Sequence, residues 1–247
     1  KQQPLLHGKR LQAAVEGLDE LGIYSMAVSF GAVALIFQSV FSTIWAPLVF
    51  KWVEDKTHLD KIGGITLSMT ELISAMICFI GIFSPVVTWI LPDKYAPVQF
   101  LLLSCMLYPL FYTLTEVSGI GLNVVKRTWL ITAVNIVAFA INFGLLSLLV
   151  PHLGARGAAI ASAISFWVFC VIKTEFSSRV WRPLPRLKIY TNTALSVLLC
   201  VSYTYFGTKE NYPLFALLWL AGLSYLIWRR KSSLISAAAA VKSRLKR

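Results

Sequence analysis

The stretch TWLITAVNIVAFAINFGLLSLLV, residues 128–150, decides the fold class of this chain. It contains no charged residue, and its two amide side chains, Asn135 and Asn142, lie seven positions apart. A helix rises about 1.5 Å per residue, so about 20 apolar residues cross a hydrocarbon layer about 30 Å thick. We therefore expect residues 128–150 to form a transmembrane helix.

Six further apolar stretches have spanning or nearly spanning length. Runs such as Leu35-Ile36-Phe37 do not alternate apolar and polar residues, which argues against a membrane β-barrel. The sequence therefore predicts an all-α integral membrane protein, a polytopic bundle of about seven transmembrane helices. The expected spans are 24–50, 65–91, 98–117, 128–150, 157–172, 189–206 and 213–228.

The overall composition supports a membrane protein. Hydrophobic residues make up 57% of the 247 positions and charged residues only 14%, with a mean hydropathy of +0.70. A soluble domain carries about 25% charged residues, so this chain has too little polar surface for a soluble globule. The formal net charge of +12 does not indicate nucleic-acid binding, because no basic motif with interleaved aromatics is present.

The positive charges follow the topology of a multi-pass protein. Lys and Arg concentrate in connections 51–61, 126–127 and 173–188 and in the tail 229–247. The alternate connections carry only Lys94, Arg156 and Lys209. By the positive-inside rule, the basic connections and the C-terminus are expected in the cytoplasm.

Chemistry-bearing motifs are absent from the sequence. The four cysteines lie inside apolar stretches without a CxxC pair, so they are expected to be buried free thiols. The three histidines lie on separate connections, and no metal or other cofactor is expected. No nucleophile–His–acid set or phosphate-binding loop is present, and the outer connections are short. We therefore do not expect an enzyme.

A few polar side chains lie at membrane depth, where they tend to face a cavity or a partner. Glu71 is either a coupling or cavity-wall carboxylate, or a group that bonds a neighbouring helix. Asn135 and Asn142 share one helix face and serve either interhelical hydrogen bonding or sugar binding. Gln38 is a further cavity candidate. Glu116 lies nearer the inner interface.

Two basic residues, Lys126 and Arg127, follow the third predicted span. A pyrophosphate needs charge-assisted donors, and this pair could attract one at the cytoplasmic mouth. Alternatively, the two residues only set the topology as positive-inside residues.

Two motifs resemble those of polysaccharide flippases. ELGIYS at 20–25, followed by Ala27, resembles the turn that joins the first two helices of their second lobe. GARGAAIA at 154–161 resembles the start of a later helix in the same lobe. The chain is thus similar, over roughly residues 21–205, to the C-terminal half of an O-antigen or capsule exporter. That family belongs to the multidrug/oligosaccharidyl-lipid/polysaccharide exporter superfamily.

The resemblance implies one lobe of a two-lobe transporter that flips undecaprenyl-pyrophosphate-linked oligosaccharide by alternating access, as in lipopolysaccharide synthesis. Its partners would be the lipid-linked glycan, membrane lipids and a first lobe, in cis or on a separate chain, because the present chain is expected to be a fragment. The alternatives are a multidrug efflux lobe and a non-transporting partner subunit. The expected divisions are 1–20 (a remnant of a preceding helix), 21–172 (lobe core), 173–188 (basic connection), 189–228 (extra hairpin) and 229–247 (basic tail).

Overall fold

The structure, a computed structural model, describes the backbone of residues 3–244 and the side chains of residues 17–229. It is 89% helical, and no strand occurs within these residues. Two short 3-10 helices, Leu59–Lys61 and Asp93–Tyr95, lie in connections. The α-helices are α1 Gln3–Glu54, α2 Ile62–Phe83, α3 Val86–Ile90, α4 Val98–Ser118, α5 Ile120–Val124, α6 Thr128–Val180, α7 Arg186–Phe206 and α8 Tyr212–Arg244.

Five helices in the described part of the chain are long and apolar enough to cross a membrane. The all-α membrane class is therefore confirmed in its coarse form, whereas the number of about seven spans is not. The 21-residue α7 is not among the five. The candidates are Gly17–Glu54, Leu59–Phe83, Val98–Ser118, Thr128–Val180 and Tyr212–Arg229.

Helix α6 consists of two arms that meet at Gly154. This glycine has φ 53° and ψ −131°, a backbone conformation that side-chain-bearing residues rarely adopt. The arms 128–153 and 155–180 lie side by side, since Asn142 Nδ2 donates to Ser165 Oγ at 3.3 Å. Gly157 faces the Leu149 carbonyl so closely that a Cβ would collide with it. The hairpin therefore depends on glycines at its tip.

Helix α4 forms the centre of the bundle, with almost every residue buried. Helices α1, α2 and α7 and both arms of α6 surround it. On the α1 side, Trp45 Nε1 donates to the Glu116 carbonyl at 3.1 Å. Small residues on the second arm of α6, including Ala159, Ala161 and Ala163, are fully buried. Small side chains allow this close helix contact.

The expected turn at residues 20–25 is wrong, because α1 runs without interruption from Gln3 to Glu54. Residues 11–23 contain no proline and are rich in strong helix formers, so nothing in this segment ends the helix. The segment 1–20 is thus continuous with the first span over its described residues. The helix also continues past Pro47.

The connection 173–188 is much shorter than predicted. The second arm of α6 continues to Val180, and α7 begins at Arg186. Lys173 and Ser177 repeat the helical spacing of the buried Phe169, so the helix keeps burying one face through these residues. The chain leaves the helix only at Trp181, just before the two prolines of the connection.

A buried polar cluster joins α7 to the end of α2 and to α4. The Tyr203 hydroxyl lies 2.7 Å from Ser84 Oγ and accepts from Gln99 Nε2 at 3.2 Å. All three side chains are buried. Each of these groups depends on the others, because a buried polar atom without a partner costs free energy.

Replacing Tyr203 by phenylalanine should lower the free energy of unfolding by about 1–2 kcal/mol, because it leaves Ser84 and Gln99 without this partner. The measurement is denaturant unfolding in detergent micelles. The matched control is Tyr225→Phe, since the Tyr225 side chain is 54% exposed. Equal unfolding curves for the two variants would contradict the structural role given to the Tyr203 hydroxyl.

Candidate functional site

A groove of about 300 Å³ lies between α4 and the two arms of α6. Its lining combines aromatic rings with a few amide and hydroxyl groups, a composition typical of small-molecule sites. The lining residues are Tyr108, Tyr112, Asn135, Ala138, Phe139, Asn142, Ser165, Phe166 and Phe169.

Aromatic side chains of α4 and of the second arm form one wall of the groove. The ring centroids of Tyr108 and Phe166 lie 4.4 Å apart, and those of Tyr112 and Phe169 lie 6.3 Å apart. The two tyrosines are four positions apart and the two phenylalanines three, so each pair lies on one helix face. The wall is therefore continuous over about one helical turn.

The opposite side of the groove carries the two amides that the sequence singled out. Asn142 is half-buried and is held by Ser165, whose hydroxyl donates to the Ala161 carbonyl at 2.7 Å. Asn135 is exposed in the groove. Asn142 thus forms the interhelical hydrogen bond that one of the two hypotheses expected. The Asn135 amide, with two N–H donors and one acceptor oxygen, is available for a ligand.

A buried ion pair lies next to the groove. Lys173 is 5% exposed, and its Nζ lies 3.7 Å from Glu116 Oε1. The ammonium also lies 5.4 Å from the ring centroid of Tyr112 and 5.3 Å from that of Phe169, within cation–π range. The Lys173 side chain packs against Gly119, where a Cβ would collide with it. The groove thus has a positive charge directly behind its aromatic wall.

Lys173 was missed by the sequence reasoning, which assigned it to the basic connection 173–188. A usable signal was present, because Lys173 follows Phe166 by seven positions and Phe169 by four. These spacings place the three side chains on one helix face. A lysine in register with aromatic residues at the end of an apolar stretch therefore indicates a buried cation as readily as an interfacial one.

The other predicted site residues lie away from the groove. Glu71 pairs with Arg229 of α8 at 3.8 Å, which fits the hypothesis that Glu71 bonds a neighbouring helix. Gln38 is half-buried on α1, and its Oε1 has no hydrogen-bond partner among the described residues. Lys126 and Arg127 are exposed between α5 and α6. None of these four side chains lines the groove.

A second cleft, of about 590 Å³, lies at the Gly154 end of the bundle and includes His152 and Arg156. Here Glu20 Oε2 accepts from the Ala155 backbone N–H at 2.7 Å and so fixes the hairpin tip to α1. Nearby, Lys94 Nζ lies 2.8 Å from Asp19 Oδ1. Lys94 lies between candidate spans, and its hydrogen bond to the Asp19 carboxylate raises the pKa of its ammonium above the usual value.

The four cysteines are buried and unpaired, as predicted. Within the described residues, no group of three or more His, Cys, Asp or Glu side chains gathers as a metal site. No family model, curated protein or solved structure matches the chain. What the fold establishes is the class: a helical protein with several helices that are compatible with a membrane.

Proposed function

We propose that the chain is one lobe of a transporter that flips an undecaprenyl-pyrophosphate-linked oligosaccharide across the plasma membrane by alternating access. In this proposal the two arms of α6 and helix α7 each cross the bilayer, which gives seven spans with α1, α2, α4 and α8. The basic connections and the C-terminus face the cytoplasm. The sequence motif at 154–161 suggests the family, and the groove supplies the physical argument.

The observation that carries the proposal is the aromatic and amide groove beside α4. A sugar presents hydroxyl groups that both donate and accept, and the Asn135 amide offers the same pairing. The rings of Tyr108 and Phe166 add apolar faces of the kind that line ligand sites. A glycan needs both surfaces, and the groove combines them within one lobe.

The groove is accessible from the side of the lobe. Phe139 at its edge is 71% exposed, and Tyr108 is 37% exposed. The glycan would enter between α4 and the first arm of α6, with a second lobe closing over it in alternating access. A second lobe, in cis or on a partner chain, would then complete the walls of the cavity.

Replacing Asn135 by leucine should weaken binding of the lipid-linked oligosaccharide roughly tenfold, since the change removes one to two hydrogen bonds to sugar hydroxyls. Binding is measured on the protein in lipid nanodiscs, with undecaprenyl-pyrophosphate-linked oligosaccharide as the probe. The matched control is Thr132→Val, a polar-to-apolar change on the same arm outside the groove. Equal affinities of the two variants would remove Asn135 from the site and take away the proposal's main support.

The multidrug efflux alternative relied on a carboxylate deep in a span. Glu71 is the candidate for that role, but its carboxylate already has Arg229 as a partner. The partner-subunit alternative predicts a different outcome, namely co-purification of a separate membrane chain and no glycan binding or transport that depends on Asn135 when the two chains are reconstituted together in liposomes.

A further inference from the structure

A crevice between α7 and α8 lies on the other side of the bundle from the groove and has no role in the proposed function. Ser74 and Cys78 of α2 contribute to its lining, and Gly222 lets the α8 backbone approach Cys78. Leu195 and Tyr225, which line it from α7 and α8, are 68% and 54% exposed. The crevice is therefore open at the outer surface of the bundle.

Two polar groups of residues that line the crevice, Asn192 Nδ2 and Trp219 Nε1, have no hydrogen-bond partner among the described residues. Asn192 Nδ2 is buried, yet no acceptor among the described residues receives a hydrogen bond from it. Asn192 lines the crevice together with Leu195 and Leu199. A buried amide N–H without an acceptor is costly, so a ligand that presents an oxygen to Asn192 would stabilise this arrangement.

On the face of α7 that leads into the crevice, the side chains change from charged to polar to apolar along the helix. Lys188, Asn192, Leu195 and Leu199 occur at spacings of four, three and four, so they follow one helix face. Lys188 is exposed near the start of α7, and Asn192 lies about 6 Å further along the helix axis. From the start of α7 onward, this face thus presents first a cation, then an amide donor and then two apolar side chains.

The facing side of α8 is mostly apolar. Tyr225 and Leu226 line the crevice, then Gly222, and the fully buried Trp219 lies at its deep end. Beyond the crevice, Arg229 pairs with Glu71, which offsets its charge. The positive charge at this end therefore comes from Lys188 of α7, and α8 contributes apolar surface.

We propose that this crevice binds an anionic glycerophospholipid. The lipid phosphate lies near Lys188, an acyl-ester carbonyl accepts the hydrogen bond of Asn192, and the acyl chain runs along Leu195 and Leu199. The sequence of groups along a phospholipid, phosphate then ester then hydrocarbon, matches the order of side chains along the α7 wall. Basic pockets between membrane helices on the positively charged side suit anionic headgroups.

The test is lipid titration of the delipidated full chain, followed by native mass spectrometry with phosphatidylglycerol and phosphatidylcholine as probes. The wild-type protein should bind phosphatidylglycerol roughly fivefold more tightly than phosphatidylcholine, because a cation near the headgroup favours the anionic lipid. Asn192→Leu should weaken binding of both lipids by a similar factor, since each has the ester carbonyl. Lys188→Gln should remove the preference and leave phosphatidylcholine binding unchanged.

Two control variants separate these effects from general changes. Thr191→Val alters the neighbouring position of α7, and Lys209→Gln removes a charge at the opposite end of the bundle. Equal affinities for the two lipids in the wild type, or an Asn192→Leu variant that behaves like Thr191→Val, would overturn the proposal. Lys188 is exposed, so Lys188→Gln keeps the test decisive if Asn192→Leu fails to fold. The outcome is independent of glycan transport.

Discussion

Replacing Lys173 by methionine is expected to destabilise the folded protein by about 3 kcal/mol, because breaking a buried ion pair leaves the second charge without compensation. The Glu116 side chain, 18% exposed, would keep its charge inside the bundle. The change also removes the cation over the rings of Tyr112 and Phe169. The free energy of unfolding in mild detergent is the quantity to measure.

The double variant Lys173→Met with Glu116→Gln provides the test of this explanation. It removes both charges, so it should recover most of the lost stability. The matched control is Lys126→Met, an exposed lysine for which a change within about 0.5 kcal/mol is expected. If the double variant is as unstable as Lys173→Met alone, the loss comes from packing and not from an unpaired Glu116.

Replacing Gly154 by alanine is the second change with a large expected effect, a destabilisation of about 3 kcal/mol. Gly154 has φ 53° and ψ −131°, and a Cβ at this position would lie 2.5 Å from Glu20 Oε2. Alanine therefore strains the backbone and displaces the carboxylate that accepts from the Ala155 N–H. Thermal unfolding in detergent would report this loss.

Gly144 in the first arm of α6 offers a control with the same chemical change. A Cβ there meets nothing within 4 Å, and the residue lies inside a regular helix. Gly144→Ala should be neutral or stabilise the protein by about 0.5–1 kcal/mol, because alanine favours the helix. A Gly154→Ala variant as stable as Gly144→Ala would show that the hairpin tip does not depend on its glycine.

The helix positions that local sequence could predict are those with clear flanking residues. The predicted span 98–117 agrees with Val98–Ser118, which begins after Pro97 and ends before Gly119. The short connections at Pro92 and at residues 207–211 also lie where expected. Proline and glycine act locally, through the backbone, so they can be recognised without knowledge of the tertiary contacts.

Other features depend on contacts that sequence spacing does not contain. The continuity of α1 through residues 20–25 was missed because a motif suggested a turn, whereas the helix accommodates Gly22 and the segment contains no proline. The burial of Lys173 depends on Thr115 and Glu116 of α4 and on Gly119, which follows it, all more than 50 positions away. Contacts between residues so far apart in the sequence can be recognised only in the folded structure.

The candidate site, too, could be predicted from the sequence only in part. Asn135 and Asn142 were predicted to share a helix face, and both line the groove. The aromatic wall was not predicted, because its two halves come from α4 and from the second arm of α6. Glu71 lies within the candidate span Leu59–Phe83, and only the fold reveals its partner on α8. Hydropathy predicts that a residue lies inside an apolar span, but it does not predict which helix packs against that residue.

The most direct test of the proposed function is a flipping assay in which the protein is reconstituted into liposomes together with its second lobe. A fluorescent undecaprenyl-pyrophosphate-linked oligosaccharide is placed in both leaflets, and a membrane-impermeant reductant then bleaches the label that reaches the outer surface. We expect nearly all of the label to be bleached in these liposomes, and markedly less in those with the Asn135→Leu variant over the same time. Bleaching that stops at the level of protein-free liposomes would contradict the proposal that this chain is one lobe of a flippase for a lipid-linked glycan.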